Sequence, residues 1–275
     1  MPVDISILIV NFNGERVLAP CLDSLFAHPP QASYEVIVVD NASSDKSVEQ
    51  LSSYTQDITL IQNTQNRGFS YANNQAVKQA KGAFFFFLNN DTLLLEGTLT
   101  ALWSFAKQHP KLGIVGPQLL NVDHSLQRQG SWLGQWQYGY NGPKKVSFVV
   151  GAAMMIPRHV YEEVGGFDEA FFFYNEDIDL CKMIAKKGYS IYFYPAAKLI
   201  HVGGHSSKLL SDRARIEGFR GGLYLVKKHY AWVFPLYRFF ILILSWGAIL
   251  FCPSLRLSFY EIARITWRQT LRYPG

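Results

Sequence analysis

The sequence is poor in several features that would have fixed its class at once. It holds three cysteines in 275 residues, Cys21, Cys181 and Cys252, with no CxxC and no zinc-ligand spacing. That scarcity argues against a disulfide framework and for a reducing compartment. No GxGxxG follows the first predicted strand and no Walker A loop is present, which disfavours a dinucleotide-binding Rossmann site and a P-loop. The N-terminal Met-Pro-Val-Asp-Ile-Ser lacks a basic segment leading into an apolar run, so no signal peptide is read there. Acids are scarce towards the other end. From Ser206 onward there are eleven basic and three acidic residues, net +8, against 15 basic and 18 acidic before it. A basic, aromatic and apolar C-terminal third on a mildly acidic body points to a membrane-facing surface. The body carries no nucleic-acid motif, so nucleic acid is not an expected partner.

What is abundant is hydrophobic sequence, 49% of residues, enough for a sizeable core and too much for disorder. Its arrangement is regular. Ile5 to Val10 reads as a strand, Glu15 to Ala27 as an amphipathic helix, and Glu35 to Asp40 as a second strand. Ser44 or Asp45 is a candidate cap for a helix beginning near Lys46. Ile58 to Ile61 is a third strand, followed by a helix to about Lys81 with Gly82 as its stop. Phe84 to Leu88 is the fourth strand, and it runs directly into Asn89-Asn90-Asp91-Thr92. This alternation predicts a mostly parallel sheet with right-handed crossovers.

Each crossover leaves a polar strand end on one edge: Asn11 and Asn13, Asp40 and Asn41, Arg67, and Asn89 to Asp91. Open α/β sheets bind ligands at that edge. Asn89, Asn90 and Asp91 offer hard oxygen ligands of the kind Mg²⁺ or Mn²⁺ takes; the alternative is a core strand closing in an Asn-Asp turn.

Further on, Glu96 to His109 reads as a helix with Gly97 inside its first turn, and Gly113 to Pro117 as a strand. Asn121 to Lys145, with Trp132, Trp136, Tyr138 and Tyr140, reads as a loop over the site, its aromatics either packing or stacking on sugar. Val146 to Val150 is a predicted strand leading into small residues at Gly151 to Ala153 that allow close approach of a ligand or of backbone. Arg158 to Val164 is a short helix. Asn175 to Lys187 is another, with Glu176 and Asp177 in a first turn where the helix dipole favours acids. Tyr189 to Tyr194 and Lys198 to Ile200 read as closing strands, and His201 and His205 flank a Gly-rich loop. Arg213 to Tyr230 is a basic helix. Phe239 to Cys252 is an uncharged stretch too short to span, expected to lie in or against the interface. Arg256 to Arg272 forms a second amphipathic basic helix.

Taken in order, these motifs resemble the inverting glycosyltransferases of family 2, which have the GT-A fold. The matching stretches are Val10-Asn11-Phe12-Asn13, Val38 to Asp45, Asn66-Arg67-Gly68-Phe69, Leu88 to Asp91, Gly165 to Phe172, Glu176 to Cys181, and His201 with Gly203-Gly204. Within the family the chain is most similar to rhamnosyltransferase-type members that build bacterial surface polysaccharide. The resemblance implies a GT-A domain over 1–207, with a nucleotide-sugar half (1–117) and an acceptor and catalytic half (118–207); the basic, apolar composition of 208–275 marks that stretch as an expected helical membrane-associating region. It implies that Asn11, Asn13 and Asp40 meet the nucleotide base and ribose, with Asn41, Arg67, Asn89 and Asn90 also on the donor side. Asp91 ends the family's Asp-x-Asp metal motif, here with Asn89 in the first position. His201 matches the position completing the metal shell, His205 being the second choice. Asp177 is the expected base, with Glu176 binding the acceptor or orienting that base. The implied reaction moves a deoxyhexose from a nucleotide-diphosphate donor to a saccharide or lipid-linked acceptor, at the cytoplasmic face of the cell membrane. A sugar nucleotidyltransferase and an inactive scaffold of the same fold are the competing readings. The first normally carries a Gly-rich basic signature after strand one, where Asn11-Phe12-Asn13-Gly14 stands instead.

Overall fold

The computed structural model describes residues 2–129, 140–203, 211–269 and 271. Strand β1 (Ile5–Asn11) lies between β2 (Tyr34–Asp40) and β4 (Phe84–Asn89), with β3 (Thr59–Gln62) outside β2, all parallel. Both faces of β1, β2 and β4 are covered, which is why they read as largely apolar runs, while β3 at the edge is mostly exposed. Ile5, Ile7, Ile9, Phe86 and Leu88 pack on helix α1 (Leu18–Ala27). Leu8, Phe85 and Phe87 turn to the other face, in the cluster that holds Ala72 and Ala76 of α3 (Phe69–Gln79). The short α2 (Ser47–Gln50) is entered through Asp45, whose carboxylate accepts from Ser47 N–H at 3.0 Å.

Beyond β4 the sheet becomes mixed. Strand β8 (Ala153–Pro157) runs antiparallel to β4 and to β6 (Leu112–Leu120). Strand β9 (Ser190–His201) is parallel to β6, while β5 (Thr92–Leu94) and β7 (Lys144–Lys145) lie antiparallel on β9. Among the described residues the sheet order is β3-β2-β1-β4-β8-β6-β9-β5, with β7 on β9. Helices α4 (Thr98–Gln108), α5 (Arg158–Glu163) and α6 (Glu176–Lys186) complete the α/β body.

Several expectations shift here. The strand expected over 146–150 is irregular chain and the ladder starts at Ala153; of the small residues, Gly151 and Ala152 form a turn beside the cleft and only Ala153 enters the sheet. The two closing strands are one, β9. Its pairing with β6 jumps from Pro117–Tyr194 to Gln118–Lys198, and residues 195–197 bulge out around Pro195. Gly97 precedes α4 in a left-handed conformation (φ 76°) rather than sitting inside it. Gly82 is not a helix stop, since α3 ends three residues earlier. Its N–H donates to Ser6 Oγ at 2.7 Å, and a Cβ there would lie 2.4 Å from the Ser6 backbone nitrogen.

The C-terminal helices α7 (Ser211–His229), α8 (Phe234–Phe251) and α9 (Arg256–Arg268) share their own core of Leu223, Phe234, Ile241, Ile262 and Ile265, which also takes in Phe171. Polar bonds fix α7 to α6. Buried Asp179 accepts from Lys228 Nζ at 2.9 Å and pairs with His229 Nε2 at 2.7 Å, while Lys228 also reaches Asp168 at 2.8 Å. Among the described residues α8 is the one helix long and apolar enough to cross a membrane, and 17% of its 18 residues are buried.

Alanine at position 82 should destabilise the protein by about 1–3 kcal/mol, the usual scale of overpacking, because the atom it meets is β1 backbone. Thermal unfolding of Gly82→Ala checks this; a wild-type melting temperature would refute the packing account.

Candidate active site

The parallel register sets Asn11 opposite Asp40 and Val10 opposite Asn89, so three polar tips converge. Asn11 is fully buried between them. Its Nδ2 donates to Asp40 Oδ1 and Ser47 Oγ, both at 2.9 Å, and its Oδ1 accepts from Asn90 Nδ2 at 2.8 Å. Asp40 also accepts from the Ser43 backbone N–H at 3.0 Å and hydroxyl at 2.6 Å. Asn13 takes a left-handed φ of 50°, and its Oδ1 accepts from Ser44 N–H at 2.8 Å. Asn41 Nδ2 donates to Asn66 Oδ1 at 2.9 Å and Gly68 O at 3.1 Å, tying β2 to the start of α3.

A cleft opens above these tips. Asn41, Asn89, Asn90, Asp91, Glu176, Asp177 and His201 line it, with Asn66, Gly68, Gly151, Phe172, Phe173 and Tyr174. Seven of the expected site residues thus meet in one place. Asn11, Asn13 and Asp40 do not line it: Asn11 and Asp40 bind each other and the Ser43–Ser47 turn, and Asn13 binds the same turn. The Arg67 guanidinium lies over the Tyr71 ring at 3.7 Å, while its neighbours Asn66 and Gly68 line the cleft. His205 and the aromatics Trp132, Trp136 and Tyr138 lie outside the described residues. Tyr140 packs edge-on against Phe193 and lines a separate depression.

Asp91 follows β4 and His201 ends β9, and the Thr92–His201 pairing of β5 with β9 draws them together. Asp91 Oδ1 lies 3.3 Å from His201 Nε2. Adjacent ligands of an octahedral ion with bonds of ~2.1 Å stand ~3.0 Å apart, so this pair fits two corners of one Mg²⁺ or Mn²⁺ site. Among the described residues no third His, Cys, Asp or Glu joins them. A cation here needs oxygens from a bound diphosphate and water to complete its shell.

Glu176 and Asp177 open α6 after Tyr174 and Asn175, two successive left-handed residues (φ 71° each) that turn the chain sharply. Helix α7 buttresses the turn: Asn175 Nδ2 donates to Gly218 O at 3.2 Å, and Gly221 is bare because a Cβ would lie 3.0 Å from Tyr174 O. Asp177 is held by two backbone donors, Gly151 N–H to Oδ2 at 2.9 Å and Ile178 N–H to Oδ1 at 2.7 Å. Burial still pushes its carboxyl above the usual range, against the pull of those donors. Burial, and then the Asp177 charge, push Glu176 up to about 8, and its Oε2 has no hydrogen-bond partner among the described residues. Burial thus disfavours the ionised form of both carboxyls, and a charge on one disfavours a charge on the other.

A family model described as glycosyl transferase family 2 matches residues 6–165, and one described as the N-terminal domain of galactosyltransferase matches residues 135–206. The chain belongs to glycosyl transferase family 2. The O-antigen biosynthesis protein RfbC of Myxococcus xanthus is 29% identical over 72% of the chain, which spans 17% of that protein. An N-acetylglucosaminyl-diphospho-decaprenol L-rhamnosyltransferase of Mycobacterium tuberculosis is 24% identical over 62% of the chain and 67% of its own length. The mannosyltransferase PcManGT of Pyrobaculum calidifontis, solved with GDP-Man and Mn²⁺, superposes on 98% of this chain and 88% of its own at TM-score 0.62 and 16% identity. The fold is GT-A, as the resemblance implied. In the rest of the family 2 chain two site features had no sequence signal: Gly151 as a donor to Asp177, and Gln127, which contacts His201 Nδ1 at 2.8 Å.

The raised Glu176 value carries a sign. Its ordinary value is 4.5, so the protonated form favours the fold, and that stability is lost as pH rises from 4.5 towards about 8. Glu176→Gln, which cannot ionise, should leave the melting temperature little changed at pH 5 and raise it above pH 8. Parallel stability curves for the two proteins would contradict this.

Proposed function

We propose that this family 2 glycosyltransferase inverts the anomeric centre as it moves a sugar from a nucleotide-diphosphate donor to a saccharide or lipid-linked acceptor in surface polysaccharide synthesis. The observation that carries the reading is the sharing of one cleft by Asp177 and the Asp91–His201 pair. Asp177 Oδ accepts the proton of the acceptor hydroxyl, its lone pairs aimed by the Gly151 and Ile178 N–H groups. Burial raises both carboxyls, and a raised carboxyl is the stronger base once ionised; Glu176 stands beside it to bind the acceptor or orient that base. Asn41, Asn89 and Asn90 face the donor, and Phe173 and Tyr174 offer apolar faces to a sugar ring. Asp91 and His201 would hold a divalent cation, which would supply charge neutralisation for the departing diphosphate. Rhamnose or another deoxyhexose is the donor sugar we favour, supported by the mycobacterial relative. Replacing Asp177 by Asn should cut transfer by about 10²–10⁴-fold, the usual worth of a general base, while stabilisation by nucleotide persists. Near-wild-type turnover would remove Asp177 from this role.

The division into a catalytic body and a membrane-associating tail is part of the same proposal. The outward face of α8 and its approach carries Trp232, Leu236, Phe239, Ile243, Trp246 and Phe251, all more than half exposed. So large an apolar face suits a lipid interface. Arg238 donates to the carbonyls of Thr266 and Trp267, both at 3.1 Å, binding α8 to the basic α9. A helix tied to that partner is better placed lying at the cytoplasmic face than threading the bilayer. The triple variant Leu236→Glu, Phe239→Glu, Ile243→Glu should lose flotation with anionic liposomes while keeping its melting temperature; undiminished flotation would contradict the placement.

A further inference from the structure

A third residue closes the arrangement behind the Asp91–His201 pair. Gln127 leaves a tight turn at the end of β6, where its N–H donates to Leu119 O at 2.9 Å and Leu120 bridges Leu126. Its side chain meets the same histidine twice. Oε1 lies 2.8 Å from His201 Nδ1, and Nε2 lies 3.0 Å from the His201 carbonyl oxygen. Nε2 also lies 3.1 Å from Asn121 Oδ1.

In a neutral imidazole these contacts leave one consistent set of protons. A backbone carbonyl only accepts, so the end of Gln127 facing it must be the NH₂ group. Oε1, which only accepts, is then the atom against Nδ1, and Nδ1 must carry the ring hydrogen. The other nitrogen, Nε2, is left with its lone pair outward, and Nε2 is the one 3.3 Å from Asp91. A metal-ligating imidazole needs this state, and the partner on its far nitrogen sets it.

We infer that Gln127 is a positioning residue that locks His201 as the Nδ1–H tautomer, ring fixed, so that Nε2 is presented to a divalent cation beside Asp91. The purpose rests on the cation reading of the Asp91–His201 pair; the tautomer does not. The amide adds a neutral partner where a carboxylate would add a second negative charge next to Asp91, which keeps the site's charge low in a motif that already has Asn89 in place of an acid.

Two variants separate this role from simple anchoring of the end of β9. Gln127→Ala removes both contacts. Gln127→Glu keeps an acceptor for Nδ1–H but loses the donor to the His201 carbonyl. Long-range ¹H–¹⁵N spectra of the full-length protein labelled at histidine, with His201 assigned through His201→Ala, report the tautomer without metal. Titration with Mn²⁺ alone, followed by the free-ion EPR signal, reports affinity. We expect Nδ1–H in the wild type and Gln127→Glu, and a shift towards Nε2–H in Gln127→Ala. Mn²⁺ should bind about 10–100-fold more weakly to Gln127→Ala, and near wild-type strength should persist in Gln127→Glu. An Nε2–H tautomer in the wild type, or Gln127→Ala with both Nδ1–H and wild-type Mn²⁺ affinity, would overturn the assignment. Loss in Gln127→Glu equal to that in Gln127→Ala would reduce Gln127 to an anchor and overturn it too. Unchanged Mn²⁺ affinity in His201→Ala would instead remove the cation reading, and with it the purpose given to Gln127.

Discussion

One buried amide holds the site together. Asn11 hands hydrogens to Asp40 and Ser47 and takes one from Asn90, so the ends of β1, β2 and β4 are joined through a single uncharged side chain. The polar tips of the parallel strands are referred to that junction. Asp40 shapes the Ser43 turn, Ser47 opens α2, and Asn90 stands next to Asp91. Leaving such partners unmatched in a buried place costs about 1–3 kcal/mol for each group. The network is satisfied throughout, which is the condition under which a buried polar cluster specifies a structure rather than loosening it.

The parallel half of the fold was legible because covered strands admit little besides Val, Ile, Leu and Phe, and because their ends must turn polar where the helices stop covering them. The acids of α6 were legible for a related reason, being polar residues behind an aromatic run. What escaped was anything decided by pairing across distance. Whether Val146–Val150 or Ala153–Pro157 joins the ladder depends on which stretch reaches β4, and an apolar run reads the same either way. Pro195 looked like a break between two strands, yet a bulge absorbs it. Asn11 and Asp40 have the expected residue types at the expected edge, but their side chains turn inward to each other. Gln127 reaches His201 only because β6 and β9 run side by side, 74 residues apart in sequence.

The electrostatics of the cleft divide in two. At the strand tips, Asp40 is met by hydrogen bonds from Asn11 and Ser43, and Asp91 stands beside the His201 ring. At the helix, burial pushes both carboxyls of the Glu176–Asp177 pair above the usual range. A site in which burial and hydrogen bonding temper the acids suits a reaction that brings its own anionic diphosphate.

The Lys228–His229 clasp on Asp179 bears on how such proteins can be recombined. Asp179 is two residues from Asp177 on the same helix, and its partners come from α7. A catalytic sheet cut away at residue 207 would carry Asp168 and Asp179 into a chimera without their cations, leaving an uncompensated charge on the underside of the helix that bears Asp177. The natural seam for grafting therefore lies after His229, and any exchange of C-terminal helices between relatives must leave α7 with the sheet it came from.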